Sequence, residues 1–121
     1  MAKKNEQDQI VSNRPKVIVL CGSTRFIDHM AVKAWELEKQ GNIVLGPHLL
    51  PSWYCKKAAH LAEEQGVKIQ MDELHLRKID MADGVYIINP DGYIGESTQR
   101  EIEYALDNGV PVEYEEPLPR R

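Results

Sequence analysis

The sequence predicts an α/β domain: a parallel sheet of four strands with helices packed against it. Three observations carry this. Short unbroken apolar runs, as in Val17–Cys21 and Ile43–Leu45, read as strands covered on both faces. Between them lie stretches whose apolar residues recur at helical spacing. Gly, Pro and Ser/Thr clusters separate the two kinds of segment.

The elements follow in order. Residues 1–14 are polar, charged and without period, and read as a loose arm ahead of a domain over 15–114. Strand one is Val17–Cys21. Gly22-Ser23-Thr24 then opens a helix whose apolar face is Ile27, Met30, Ala31, Ala34 and Leu37, ended by Gly41. Ile43–Leu45 is strand two, stopped by Gly46-Pro47. Ser52 is a possible cap for a helix reaching Gly66. A further helix spans roughly 68–81, with Met71, Leu74, Ile79 and Ala82 toward one face. The segment GVYIIN is strand three. After a loop comes a helix with Ile102, Ala105 and Leu106 inward and Gly109 as its stop. VPVEY is strand four, placed at an edge by Pro111, and residues 115–121 form a polar tail.

Composition removes several function classes. The chain has 121 residues, 42% hydrophobic and 28% charged, which suits one globular domain. A net charge of -4 gives no basic face for a nucleic-acid polymer, though a small nucleotide needs only a few local donors. The two cysteines, Cys21 and Cys55, form no CxxC, and no His/Cys spacing suggests a metal, so neither metal nor cofactor is expected. Cys21 reads as a small core residue. With no apolar leader or membrane-length run, a cytoplasmic protein without a membrane partner is expected.

In a parallel sheet the ligand crevice lies beyond the carboxyl ends of the strands. Two loops fall there. In the first, Gly22 allows a tight turn, Ser23 or Thr24 caps the helix, and its free amides together with Arg25 suit an anion; a plain capped helix with a surface arginine explains the same residues. The second runs from Asn89 through Gly92, Tyr93 and Gly95 to Ser97 and Thr98, with glycines that admit a ligand close to the backbone. Thr98-Gln99-Arg100-Glu101 fits a capping box, in which Glu101 would bond back to the Thr98 amide. A carboxylate in a first helical turn would also stay ionised and serve as a nucleophile at a sugar carbon, where bond cleavage passes through an oxocarbenium-like state. His75 is the nearest proton donor for the departing group, and a satisfied core histidine is the competing reading. Asp72 stands next in line. Tyr93, Phe26 and Trp53 offer rings for a planar ligand.

VIVLCGSTR and GESTQREIEYALDNGVPV together resemble the nucleoside 2-deoxyribosyltransferase family, which includes 2'-deoxynucleoside 5'-phosphate N-hydrolases. The resemblance runs from about Lys16 to Tyr114, with Glu103 where the family carries glycine and His75 where it carries an acid. It implies a Rossmann-like or flavodoxin-like domain with four to five strands. It also implies Glu101 as nucleophile, Gly22, Ser23 and Arg25 as sugar or phosphate contacts, Ser97 and Thr98 at the phosphate, and a homo-oligomer. The GESTQRE loop is similar to the GGxGTxxE loop of phosphoribohydrolases, which cleave the same kind of bond. The expectation is therefore cleavage of the base–sugar bond of a nucleoside or nucleoside 5'-monophosphate, by hydrolysis or transfer. The alternative is a nucleotide-binding module of the same fold without turnover.

Overall fold

The computed structural model describes residues 14–48, 50–51, 53–54 and 61–118. The expected N-terminal arm up to residue 13, the cap at Ser52 and Cys55 lie outside these residues.

Four strands build one all-parallel sheet: β1 (Val17–Gly22), β2 (Ile43–Leu45), β3 (Gly84–Ile88) and β4 (Val112–Tyr114). Their spatial order is β2-β1-β3-β4. This is the flavodoxin-like doubly wound order without a fifth strand among the described residues, and its switch point lies between β1 and β3. Helix α1 (Ile27–Lys39) follows a 3-10 turn at Thr24–Phe26. The short α2 (Leu61–Glu64) and α3 (Lys68–Asp80) precede β3, and α4 (Glu96–Asp107) precedes β4. No helix among the described residues is long and apolar enough to cross a membrane.

Strand pleating sorts the core. Val19 and Cys21 share one face of β1 and pack with Val85, Ile87, Ile79, Ile102 and Ala105, beneath α3 and α4. Leu20, in the opposite phase, packs with Met30 and Ile88 beneath α1. Each fully buried aliphatic side chain contributes roughly 1.5–3 kcal/mol. Gly22 is needed where β1 ends: a Cβ there would stand 2.9 Å from the Ile88 carbonyl oxygen and 3.1 Å from Met30. Asp83 ties the start of β1 to that of β3, accepting from the Val17 amide at 2.8 Å while its own amide donates to the Val17 carbonyl at 2.7 Å.

Several inward faces differ from expectation. Ala31 is exposed on α1, and Leu106 on α4 is 58% exposed. Met71 and Leu74 also point outward, while His75 and Ile79, one turn apart, form the buried stripe of α3. Apolar residues on α3 occupy more of the circumference than the sheet can cover, so periodicity alone left its inner face ambiguous. The helix stops hold: Gly41 and Gly109 take φ of +96 and +73, the left-handed conformation that glycine tolerates best. β4 is an edge strand, with Pro111 just before it.

Candidate active site

The crevice loops meet as the strand order requires. Arg25 lays its guanidinium over the Tyr93 ring at 4.2 Å, and Phe26 meets Tyr93 edge-on with centroids 5.9 Å apart. Ser23 caps the 3-10 turn by accepting from the Arg25 amide at 3.3 Å; Thr24 is exposed within that turn. Gly92 takes φ +77 and Asp91, unusually for a non-glycine, φ +56, in the turn that follows β3. Asn89 is wholly buried, and both ends of its side-chain amide are committed to the chain. It donates to the Glu116 carbonyl and accepts from the Glu116 amide, each at 2.9 Å. Its side chain therefore clamps the segment after β4.

Helix α4 starts three residues earlier than the capping box implied. Gly95 is its N-cap, with no side-chain hydrogen bond, and Thr98 is 3% exposed inside the first turn. Glu101 consequently lies in the second turn. It belongs to the inward stripe of Thr98, Ile102 and Ala105, so its carboxyl faces the sheet rather than the helix start. Three side chains from three elements converge there. The sulfur of Cys21, at the end of β1, lies 3.3 Å from His75 Nε2 on α3. Nε2 is in turn 3.9 Å from Glu101 Oε1 on α4.

The surroundings set the protonation of this cluster. Burial pushes Glu101 from its ordinary 4.5 up to about 7, against the Cys21 hydrogen bond, which favours the anion. The expectation of a carboxylate held ionised by first-turn amides presumed a helix starting at Thr98; with the helix starting at Glu96, burial is the largest influence on Glu101. Burial pulls His75 from 6.5 down to about 4, helped by the Lys78 charge and opposed by a hydrogen bond with the Leu20 main chain. The ring is neutral near pH 7, so its approach to Glu101 is no ion pair, and it does not fit the part of a charged proton donor. Burial and the Glu101 carboxyl raise the Cys21 thiol well above its usual range, so it remains S–H.

A polar rim lies on the same side. Ser97 Oγ is met by Lys68 Nζ at 3.2 Å and by Arg100 Nη2 at 3.3 Å. Lys68 also pairs with Asp72 at 2.9 Å, and Arg100 approaches Asp72 at 3.9 Å. The amides of Glu96, Ser97 and Thr98 are those of the first turn, without partners inside the helix. Cys21 joins the site through strand phase, and Lys68 and Arg100 through tertiary packing. Only Cys21 had a sequence signal that could have revealed it: its alternation with Val19 at the carboxyl end of a central strand. A separate groove of about 350 Å³, lined by Leu20, Met30, Ala34 and Lys78 among others, lies on the α1 side and is not lined by Glu101.

No protein-family model, curated protein or solved structure matches this chain.

Proposed function

We propose that this protein cleaves the N-glycosidic bond of a nucleoside or nucleoside 5'-monophosphate, with Glu101 as the nucleophile. The observation that supports this best is the placement of Glu101. It is a nearly buried carboxyl, its side chain 12% exposed, at the carboxyl end of the two central strands and beside the rim of Ser97, Lys68 and Arg100. A partly desolvated carboxylate is a stronger nucleophile and a better partner for an oxocarbenium-like centre than a hydrated one.

In this reading a carboxylate oxygen of Glu101 bonds to C1' as the C1'–N bond breaks. The base leaves with the electron pair and takes a proton from water. Water, or a second base, then displaces the carboxylate from C1' and regenerates it. His75 and Cys21 orient the attacking oxygen: the thiol donates to the carboxylate, and the neutral ring fixes the thiol. Arg25, Phe26 and Tyr93 present flat surfaces suited to a base or sugar at the mouth. Gly22 and Ser23, at the end of β1 and the cap of the turn after it, belong to this reading as sugar or phosphate contacts. Ser97, the Thr98 amide, Lys68 and Arg100 suit the phosphate of a monophosphate. Gly92 supplies a positive φ in the second loop and Gly95 lies against the Tyr93 ring, and a second copy of the chain belongs to this reading as the partner that completes the mouth. The test is incubation with a panel of nucleosides and nucleoside monophosphates, followed by chromatography. Release of free base supports the reading. Tight nucleotide binding without release from any member favours the binding module instead.

A further inference from the structure

The Cys21, His75 and Glu101 cluster has a property that glycosidic chemistry does not require. It gathers one sulfur, one imidazole nitrogen and one carboxylate oxygen from three separate elements, with all three donor atoms within 4.8 Å of one another. We propose that these residues form a binding site for a borderline-soft divalent cation, zinc above all, and that the metal-bound protein is an inactive state. The second half rests on the reading of Glu101 as nucleophile; the first half does not.

Geometry supports the site. A tetrahedral zinc with sulfur at about 2.3 Å and nitrogen and oxygen at about 2.0 Å holds its donors roughly 3.3–3.6 Å apart. The observed sulfur–nitrogen separation is 3.3 Å and the nitrogen–oxygen separation 3.9 Å. The sulfur–oxygen separation lies within 4.8 Å, so closing the set requires Glu101 Oε1 to move toward the other two donors. Three protein ligands leave one coordination position for water.

Donor chemistry selects the ion. Calcium and magnesium want all-oxygen shells and six or more ligands, which this cluster does not offer. A thiolate with an imidazole and a carboxylate matches zinc, and cobalt as its spectroscopic substitute. Charge also fits. On binding, the Cys21 thiol releases its proton to solvent, and thiolate plus carboxylate neutralise a divalent ion. A buried neutral site costs far less than an isolated buried charge. The charged groups facing the cluster are Lys78 and Asp72 at His75, and Asp72, Arg100 and Lys68 at Glu101. Among the described residues none of the three ligands is ion-paired to a lysine or arginine. Occupation ties up the carboxylate oxygen that would attack C1', so metal and turnover exclude each other.

The experiment is a cobalt titration of chelator-treated protein, read by the near-ultraviolet thiolate-to-cobalt charge-transfer band and the visible bands of a tetrahedral ion. Zinc affinity follows by competition. The expected result is one equivalent per chain, with the band kept in Cys55→Ser and lost in Cys21→Ser. Glu101→Gln and His75→Asn should each weaken binding by more than about tenfold. Melting curves of every variant confirm that it is folded, and the Glu101→Gln result decides the matter if Cys21→Ser does not fold. Absence of the band in the wild type, its survival in Cys21→Ser, or unchanged affinity in Glu101→Gln would overturn the site. With a base-releasing substrate in hand, one equivalent of zinc should abolish release and a chelator restore it. Full activity at saturating zinc would overturn the inactive state while leaving the metal site standing. A protein that binds cobalt as described yet releases no base when metal-free would instead count against the glycosidic reading.

Discussion

Glu101 and His75 should give this protein two opposed pH dependences that nearly cancel, and single substitutions should separate them. Glu101 rises from 4.5 in an unfolded chain to about 7 in the folded one. Between those values the folded state holds a proton that the unfolded state has lost, so stability falls as pH rises through that window. His75 drops from 6.5 to about 4, so the unfolded state holds the extra proton there, and stability falls as pH is lowered. Each shift is worth about 3 kcal/mol at one pK unit per 1.36 kcal/mol. The windows overlap from pH 4.5 to 6.5, where the two slopes oppose. The assay is urea unfolding in chelator-containing buffers across pH 4–8, with each variant compared with wild type. Relative to wild type, Glu101→Gln should gain stability with rising pH across the overlap, by about 1 kcal/mol per unit. His75→Asn should lose about as much over the same range. Parallel curves for the two variants would refute the account of burial at this cluster.

Other outcomes follow from the same structure. Gly22→Ala drives a Cβ to 2.9 Å from the Ile88 carbonyl, a backbone atom that cannot yield cheaply, and should cost about 1–3 kcal/mol in thermal melts. Asn89→Ala removes both hydrogen bonds that its side chain makes to the Glu116 main chain and should destabilise by about 1–2 kcal/mol, with faster hydrogen exchange after β4. A nucleoside monophosphate should raise the melting temperature more than its nucleoside does, and Lys68→Ala or Arg100→Ala should shrink that difference; equal protection by both ligands would remove the phosphate from the site. Base release should rise with pH through about 7 as Glu101 ionises, with no decline traceable to His75, which is already neutral.

What the sequence revealed, and what it hid, divides along physical lines. The strands were legible because burial on both faces leaves continuous apolar runs such as Val17–Cys21. Their order was constrained by parallel crossovers, and the meeting of the two loops at Arg25 and Tyr93 follows from β1 lying beside β3. Glu101 stood out because it follows a glycine-bearing loop at a strand's carboxyl end. Its environment did not, because Cys21, His75 and Glu101 come from elements far apart in sequence, and spacing rules for metal or catalytic clusters read only local patterns. Thr98 shows the converse error. Its match to a capping box was real as a pattern, but Gly95 begins the helix earlier and the threonine turns inward. The pairing of Asn89 was hidden for a similar reason: a polar residue after a strand reads as facing a crevice, and only the fold shows that the Glu116 main chain returns to meet its side chain.

The most direct test of the central claim is single-turnover base release by Glu101→Gln, measured beside equilibrium binding of the same substrate. Glutamine keeps the size and hydrogen-bonding span of the side chain while removing the nucleophilic oxygen anion. If Glu101 attacks C1', binding should stay within about tenfold, roughly 1.4 kcal/mol, while release falls by at least about a thousandfold. A folded Glu101→Gln protein that binds the substrate and releases base at the wild-type rate would contradict it.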